Sequence, residues 1–265
     1  MTEIKLDIRK SLEKSAATYF ENSKKMRSKI EGILETIERF ESQLFALEGQ
    51  EKLAVEAQKN KAERKLVEKK WFEKFHWFIS SEGFLCIGGR DATTNEVIIK
   101  KHVDKDDLVF HTEAAGSPFF VIKSEGKKPG ELTIKECAIA TISYSRAWKL
   151  GLASADVYWI APEQISKQTE TGEYVAKGAF IVRGKKNNIV VEMKLAVGIT
   201  KDRKIMGGAP SAVAKNCEKF VNVVQGDDKT SDCAKKILKI FGNGDLNEVV
   251  AVLPAGGCRV QVQKF

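Results

Sequence analysis

From Met26 to Leu47 the apolar residues Met26, Ile30, Ile33, Ile37, Phe40, Leu44 and Leu47 recur at alternating spacings of four and three, flanked by Glu31, Glu35, Glu38 and Arg39. This is the seam of a coiled coil with a solvated flank. Gly49 predicts a tight reversal near residues 48–51 and a returning helix over about 52–72. The expected arm is therefore an antiparallel helical hairpin, residues 1–70, whose tip near Ala46–Lys52 is open to a protein partner. Beyond it the period shortens. Phe84–Ile87, Asp107–Phe110, Phe119–Ile122 and Val157–Ile160 are short apolar runs that predict buried strands. Phe180–Arg183 and Ile189–Ile199 predict a hairpin, with alternation of Val191, Met193, Leu195 and Val197 against Glu192 and Lys194.

Two helix starts carry capping-box signatures, Thr93 with Glu96 and Thr133 with Glu136, the second helix running to about Leu150 where Gly151 ends it. From Lys204 the pattern predicts a strand (204–206), helix (211–216), strand (220–224), helices (230–241 and 246–253) and a last strand (259–263). The expected class is α+β: the hairpin arm, a mixed α+β globular domain over 71–200, and a small C-terminal α/β subdomain over 201–265.

Charge changes the picture in one direction. Lys and Arg outnumber Asp and Glu by 44 to 36, for a net +8, with a pI near 9.1. No segment is a basic tail, so an acidic partner such as nucleic acid depends on folding to gather dispersed cations. Five cysteines without a CxxC pair, four of them among apolar neighbours, predict buried thiols. The N-terminus has neither a signal-peptide core nor a transit-peptide pattern, and no apolar run approaches the roughly 18 residues that span a bilayer. A cytoplasmic protein is expected.

Candidate chemistry clusters between Trp71 and Lys101. Gly88-Gly89-Arg90 stands between a predicted strand and a capped helix, so a cation and free helix N–H groups converge where a phosphate would suit them. Glycines 83, 88 and 89 do not make GxGxxG, which argues against a dinucleotide cofactor. His111 and Glu113 lack a third metal ligand. Ser117 lacks a nucleophile elbow. Trp71, Phe72, Phe75 and Trp77 are read as core, with base stacking as the alternative.

The blocks WFEKFHWFISSEGFLCIGGRDATTNE, DLVFHTEAAGSPFFVIK, SYSRAWKLG, DVYWIAPEQISK, RGKKNNIVVEMKLAVGI and IMGGAP, in this order, resemble the RNA-binding domain of the NFACT family of ribosome-associated quality-control proteins. The resemblance implies a non-enzymatic RNA-binding module without cofactor or metal. It would act on the large ribosomal subunit carrying stalled peptidyl-tRNA, contacting rRNA or tRNA. The residues expected at the RNA are Arg90, Lys100, Lys101, His111, Lys123, Arg146, Lys149, Arg183, Lys185 and Lys186. Full-length members begin with an NFACT-N domain and helix-hairpin-helix segments that this sequence lacks. The chain is thus expected to be a C-terminal half or a truncated member, without the tRNA-selecting functions of that domain. Two competing readings remain: a coiled-coil scaffold without direct RNA contact, and a phosphate-handling enzyme, which requires Arg90, Asp91, His111 and Glu113 to share one pocket.

Overall fold

The computed structural model describes residues 9, 11–65, 70–114, 116–167, 176–242 and 244–261, with 45–65 described by backbone alone. It divides into two compact units, Met1–Lys69 and Lys70–Phe265.

Among the described residues the first unit holds one helix, α1 (Leu12–Lys65), 54 residues long. This corrects the expected hairpin: the chain passes Gly49 without reversing. A lone glycine inside a helix costs only about 1 kcal/mol relative to alanine, and Gly32 is passed in the same way. The flanking run LEGQEKLAVEAQKNKAERK is rich in strong helix formers, which offset that cost. The heptad positions Met26, Ile30, Ile33, Ile37, Phe40 and Leu44 are all exposed, at 46% to 66%. The side chains at the expected tip lie outside the described residues.

The second unit opens with a single 3-10 turn at Trp71–Lys74, followed by β1 (His76–Ile79), β2 (Leu85–Gly88), α2 (Ala92–Lys101), β3 (Leu108–Thr112), β4 (Phe120–Lys123), α3 (Glu131–Ser143), α4 (Arg146–Lys149) and β5 (Ser154–Ile160). Next come β6 (Ile165–Ser166), β7 (Ile181–Val182), β8 (Asn187–Glu192), β9 (Leu195–Thr200) and β10 (Ile205–Gly208). The chain finishes with α5 (Pro210–Asn216), β11 (Cys217–Asp228), α6 (Thr230–Phe241), α7 (Leu246–Val252) and β12 (Cys258–Gln261). Six strands form an antiparallel sheet in the order β1-β2-β4-β3-β5-β8. Its inner strand β4 is buried at every position, so Phe119–Ile122 reads as an unbroken apolar run. Helix α3 lies against this sheet, and Phe75, Phe78, Phe110, Phe120, Ile122 and Ile142 fill the core between them.

A second antiparallel sheet, β10-β9-β11-β12, packs on α6 and α7 around Val197, Val223, Ile237 and Phe241. The expected strand Ile189–Ile199 is therefore two strands in two sheets, broken at Met193–Lys194. The apolar alternation runs through the break unchanged because both sheets share a period of two. Nor do β7 and β8 form the expected hairpin: β7 pairs with β6, and β8 with β5. The boundary expected at residue 200 would cut β9 from β10, which are hydrogen-bonded along Ile199–Ile205 to Ala196–Gly208. The two cores are tied to each other at Tyr144, which packs against both and whose hydroxyl donates to the Val252 carbonyl (2.8 Å).

Helix α3 begins at Glu131, two residues before Thr133, and stops at Ser143; Ser145 then caps the separate α4. Thr133 and Glu136 do not cap each other. The Thr133 amide and hydroxyl both donate to Glu82, a carboxylate supplied by the β1–β2 turn. Glu136 is buried and accepts from the Ser81 amide (2.8 Å), the Ser81 hydroxyl and the Ser211 hydroxyl (2.6 Å). These long-range bonds satisfy buried polar atoms and fix α3 on the sheet.

Lys123, expected at the RNA, is instead a core residue at 8% exposure. Its ammonium donates to the His102 carbonyl (2.9 Å), to Asp104 (2.6 Å) and to the buried Asp107, which uses all three of its protons. Asp107 in turn accepts from the Ser124 amide at 2.9 Å. Removing one partner of a buried ion pair strands the other charge. Lys123→Met is therefore expected to lower unfolding free energy by roughly 3–5 kcal/mol in denaturant titration. Asp104→Asn, at an 83% exposed carboxylate, should cost under about 1 kcal/mol.

Candidate nucleic-acid interface

Strand β2 ends at Gly88, and the next residue makes the approach on which the site is built. The Gly89 amide donates to the Phe119 carbonyl (3.1 Å), while Asn95 Oδ1 accepts from the Phe119 amide (3.0 Å). A Cβ on Gly89 would lie 1.8 Å from Asn95 Oδ1, so only glycine fits. Helix α2 then starts at Ala92 with Asp91 as its N-cap: Asp91 Oδ1 accepts from the Thr94 amide (2.7 Å) and hydroxyl (2.9 Å). The expected Thr93–Glu96 capping box is thereby corrected by two residues, because a carboxylate outcompetes a hydroxyl for these donors. The helix N-terminus already holds an anion, Asp91, kept below its usual carboxylate range by the Thr94 bonds, so a phosphate does not belong there.

Glu96, freed from capping, reaches outward. It accepts from Lys100 (2.6 Å) and pairs with Lys167 (2.9 Å), and its other oxygen takes the Gly178 amide at 3.4 Å. The two ammonium groups hold it down to about 2. This anchors the segment Lys177–Phe180 along α2. With the loop at Gly116–Phe119, it encloses a cleft of about 470 Å³ lined by Gly89, Arg90, Asp91, Asn95, His111, Ser117, Phe119, Tyr144, Tyr158, Lys177 and Phe180.

The cleft is cationic at its edge and aromatic within. Arg90 Nη2 donates to the carbonyls of Phe75 (2.9 Å) and Glu73 (3.3 Å), so the guanidinium is anchored by main chain rather than by acids. Its pKa is lowered from its ordinary value by partial burial. Lys177 also lines the cleft. Arg146 starts α4, its amide bonded to the Gly116 carbonyl (3.0 Å) and its side chain against Gly116. Lys186 lies 4.5 Å over the Tyr158 ring and pairs with Glu113 at 2.6 Å; burial, with Glu113 adding to it, pushes the Tyr158 phenol up to about 12.

His111 packs tilted against Phe119 (4.1 Å between centroids, 35°), and its Nδ1 donates to the Thr112 carbonyl at 2.5 Å. Burial lowers its pKa from the ordinary imidazole value. A neutral ring held this way is a fixed platform, not a proton shuttle. Glu113 does not line the cleft, so Arg90, Asp91, His111 and Glu113 do not share one pocket.

Of the ten residues expected at the RNA, then, Arg90 and His111 line the cleft, while Arg146 and Lys186 stand beside it, against Gly116 and over Tyr158. Lys100 shares Glu96 with Lys167. Lys101 is exposed at the end of α2, and Lys149 packs against Gly256 beside the second sheet. Arg183 and Lys185 are exposed in the turn before β8, their carbonyls bound by Gln164. Lys123 is withdrawn into the core. Lys177, Phe180 and Asn95 were missed: Lys177 falls in a polar stretch without periodicity, Phe180 reads as the first residue of a hairpin strand, and an asparagine inside a helix carries no sequence signal for a bond to a distant strand. Phe75 and Trp77 are core, as expected, while Trp71 is half exposed and stacked on His102 (4.5 Å, 15°).

An antiparallel α+β body with a cation-rimmed aromatic cleft has the make-up of a nucleic-acid-binding module. Residues 74–184 match the NFACT protein RNA binding domain. The chain is 43% identical over 199 residues to the archaeal Rqc2 homolog aRqcH of Methanocaldococcus jannaschii, covering 73% of this chain and 30% of that protein. It is 45% identical over 118 residues to the ribosome quality control complex subunit NEMF homolog of Drosophila melanogaster, covering 44% of this chain and 12% of that one. A solved structure, the C-terminal part of the fibronectin/fibrinogen-binding protein of Streptococcus suis, shares 18% identity at a TM-score of 0.39 over 52% of this chain and 49% of that one. The chain belongs to the NFACT family. It spans under a third of the curated relatives' length. No helix among the described residues is long and apolar enough to cross a membrane.

Behind the cleft, Tyr144 is stacked on the buried His76 (3.9 Å, 19°), whose Nδ1 has no hydrogen-bond partner among the described residues. Burial first, and the Arg90 charge second, lower the His76 pKa to about 3. The unfolded chain therefore takes up a proton below about 6.5 that the folded chain refuses. Stability present above that pH is lost as pH falls from 6.5 toward 3, at up to roughly 1.4 kcal/mol per pH unit. Chemical denaturation of wild type and His76→Phe across this window should show the slope reduced by about one proton in the variant, which keeps the ring stack without the titration.

Proposed function

We propose that this chain is a non-enzymatic RNA-binding component of ribosome-associated quality control, gripping rRNA or tRNA on large ribosomal subunits that carry stalled peptidyl-tRNA. The observation that carries the reading is the cleft, lined by Arg90 and Lys177 and flanked by Arg146 and Lys186, whose carboxylate and imidazole are already engaged. Asp91 caps α2, Glu113 pairs with Lys186, and His111 is bonded to main chain. A site whose carboxylate and imidazole are tied up in this way is suited to holding a ligand rather than to acid–base work by those groups. The quality-control context comes from the family and from relatives named as ribosome quality control subunits.

A second reading has its own support. The exposed heptad seam of α1 is the face a protein partner would cover, which suits a scaffold that reaches the ribosome through protein contacts.

Binding of the full chain to tRNA and to isolated large subunits, at low and physiological salt, separates the two. The RNA reading predicts affinity falling with salt, with a log–log slope of about 0.7–0.9 per phosphate contacted. Lys177→Gln with Arg146→Gln should weaken binding roughly tenfold and flatten the slope by about 1.5, while Lys239→Gln, on α6, should do neither. Undetectable RNA binding at low salt, with ribosome association that survives nuclease, would hand the case to the scaffold.

A further inference from the structure

We propose that the cleft is a receptor for a single unpaired nucleobase, presented by a single-stranded stretch of RNA and stacked among His111, Phe119 and Phe180. This deepens the RNA-binding reading and rests on it. A cleft of about 470 Å³ is concave on the scale of small-ligand sites. A duplex, which presents its phosphates and shallow groove on a convex surface, cannot enter it; a base swung out of the strand can.

The walls suit a flat aromatic ring. Phe119 is held rigid by the Gly89 amide and by Asn95. His111 lies on it at 4.1 Å and Phe180 meets it edge-on at 5.5 Å and 88°. Phe180 is only partly buried, so the aromatic cluster continues to the surface where a further ring can join it.

Two polar groups in the cleft suit a base edge. Because the Phe119 amide is a donor, the Asn95 atom facing it must be the oxygen, which fixes the orientation of the carboxamide. Its Nδ2 protons have no acceptor among the described residues, and Asn95 lines the cleft. The Ser117 hydroxyl, also in the lining, makes only a long bond to the Pro118 carbonyl (3.4 Å) and keeps its acceptor capacity. A fixed pair of donors beside a hydroxyl that both donates and accepts matches the ring nitrogens and exocyclic groups of an unpaired base. Lys177 and Arg90 at the edge would take the flanking phosphates, with Asp91 and Glu113 as the nearby acids.

The test compares the full chain's affinity for a single-stranded RNA of about ten nucleotides with that for the same backbone made abasic, and with that for an RNA duplex. One stacked and hydrogen-bonded base predicts a base-bearing to abasic ratio of roughly ten. Phe180→Leu keeps apolar volume but removes the ring, and Ser117→Ala removes the hydroxyl. Each should bring that ratio toward one without changing the circular dichroism of the fold. A base analogue such as 2-aminopurine within the strand should change fluorescence on binding wild type but not Phe180→Leu. If base-bearing and abasic strands bind wild type equally, the receptor is overturned while RNA binding stands. If wild type binds neither strand nor duplex, both readings fall.

Discussion

The peptide of Phe119 is gripped from two sides, its carbonyl by the Gly89 amide and its own amide by the Asn95 carboxamide. That clamp joins three segments far apart in sequence: the end of β2, the first turns of α2, and the loop leading into β4. It is possible only because Gly89 has no side chain to collide with Asn95. A buried amide left without a partner costs about 1–3 kcal/mol, so the clamp also fixes the position of Phe119 and of the His111 ring packed against it. The cleft exists because these pieces cannot drift. Glu96, one residue after Asn95, holds the outer wall through Lys167 and the Gly178 amide.

Electrostatics sorts the cations into two kinds. Lys123 spends its charge on Asp104 and Asp107 inside the body, where it stabilises the β3–β4 end of the sheet. Arg90 is steadied by main chain and lines the open cleft, and Lys186 adjoins it, shared between the Tyr158 ring and the exposed Glu113. An acid at the α2 N-terminus removes the simplest anion site and leaves phosphate contact to side chains at the edge. Binding would then depend on where the cleft lies more than on the net charge of the chain.

Much of the fold was legible because its signals are local. The short apolar runs became β2, β3, β4 and β5, and the helices over 211–216, 230–241 and 246–253 lie within a residue or so of their observed ends. What failed was decided at long range. The alternation from Ile189 to Ile199 is the same whether or not the chain changes sheets at Met193. The pairs Thr93–Glu96 and Thr133–Glu136 have capping spacing, yet Asp91 and the distant Glu82 supply the caps. Gly49 reads as a turn in isolation, yet its cost in a helix is small beside the helix-forming residues around it. Of the site, the cations Arg90, Arg146 and Lys186 and the ring of His111 were visible in the sequence. Asn95, Lys177 and Phe180 were not, since their roles arise from contacts made only when the loops close over α2.

The account turns on the Phe119 clamp, so the most direct measurement follows hydrogen exchange at the Phe119 amide, together with RNA affinity, in Asn95→Ala and wild type. It predicts that the Phe119 amide in the variant exchanges at least about tenfold faster, as expected when a hydrogen bond of 1–2 kcal/mol is lost. Affinity for single-stranded RNA should fall with it, while the amides of β9 and β11 keep their protection. Fast exchange at Phe119 with undiminished RNA binding would contradict it.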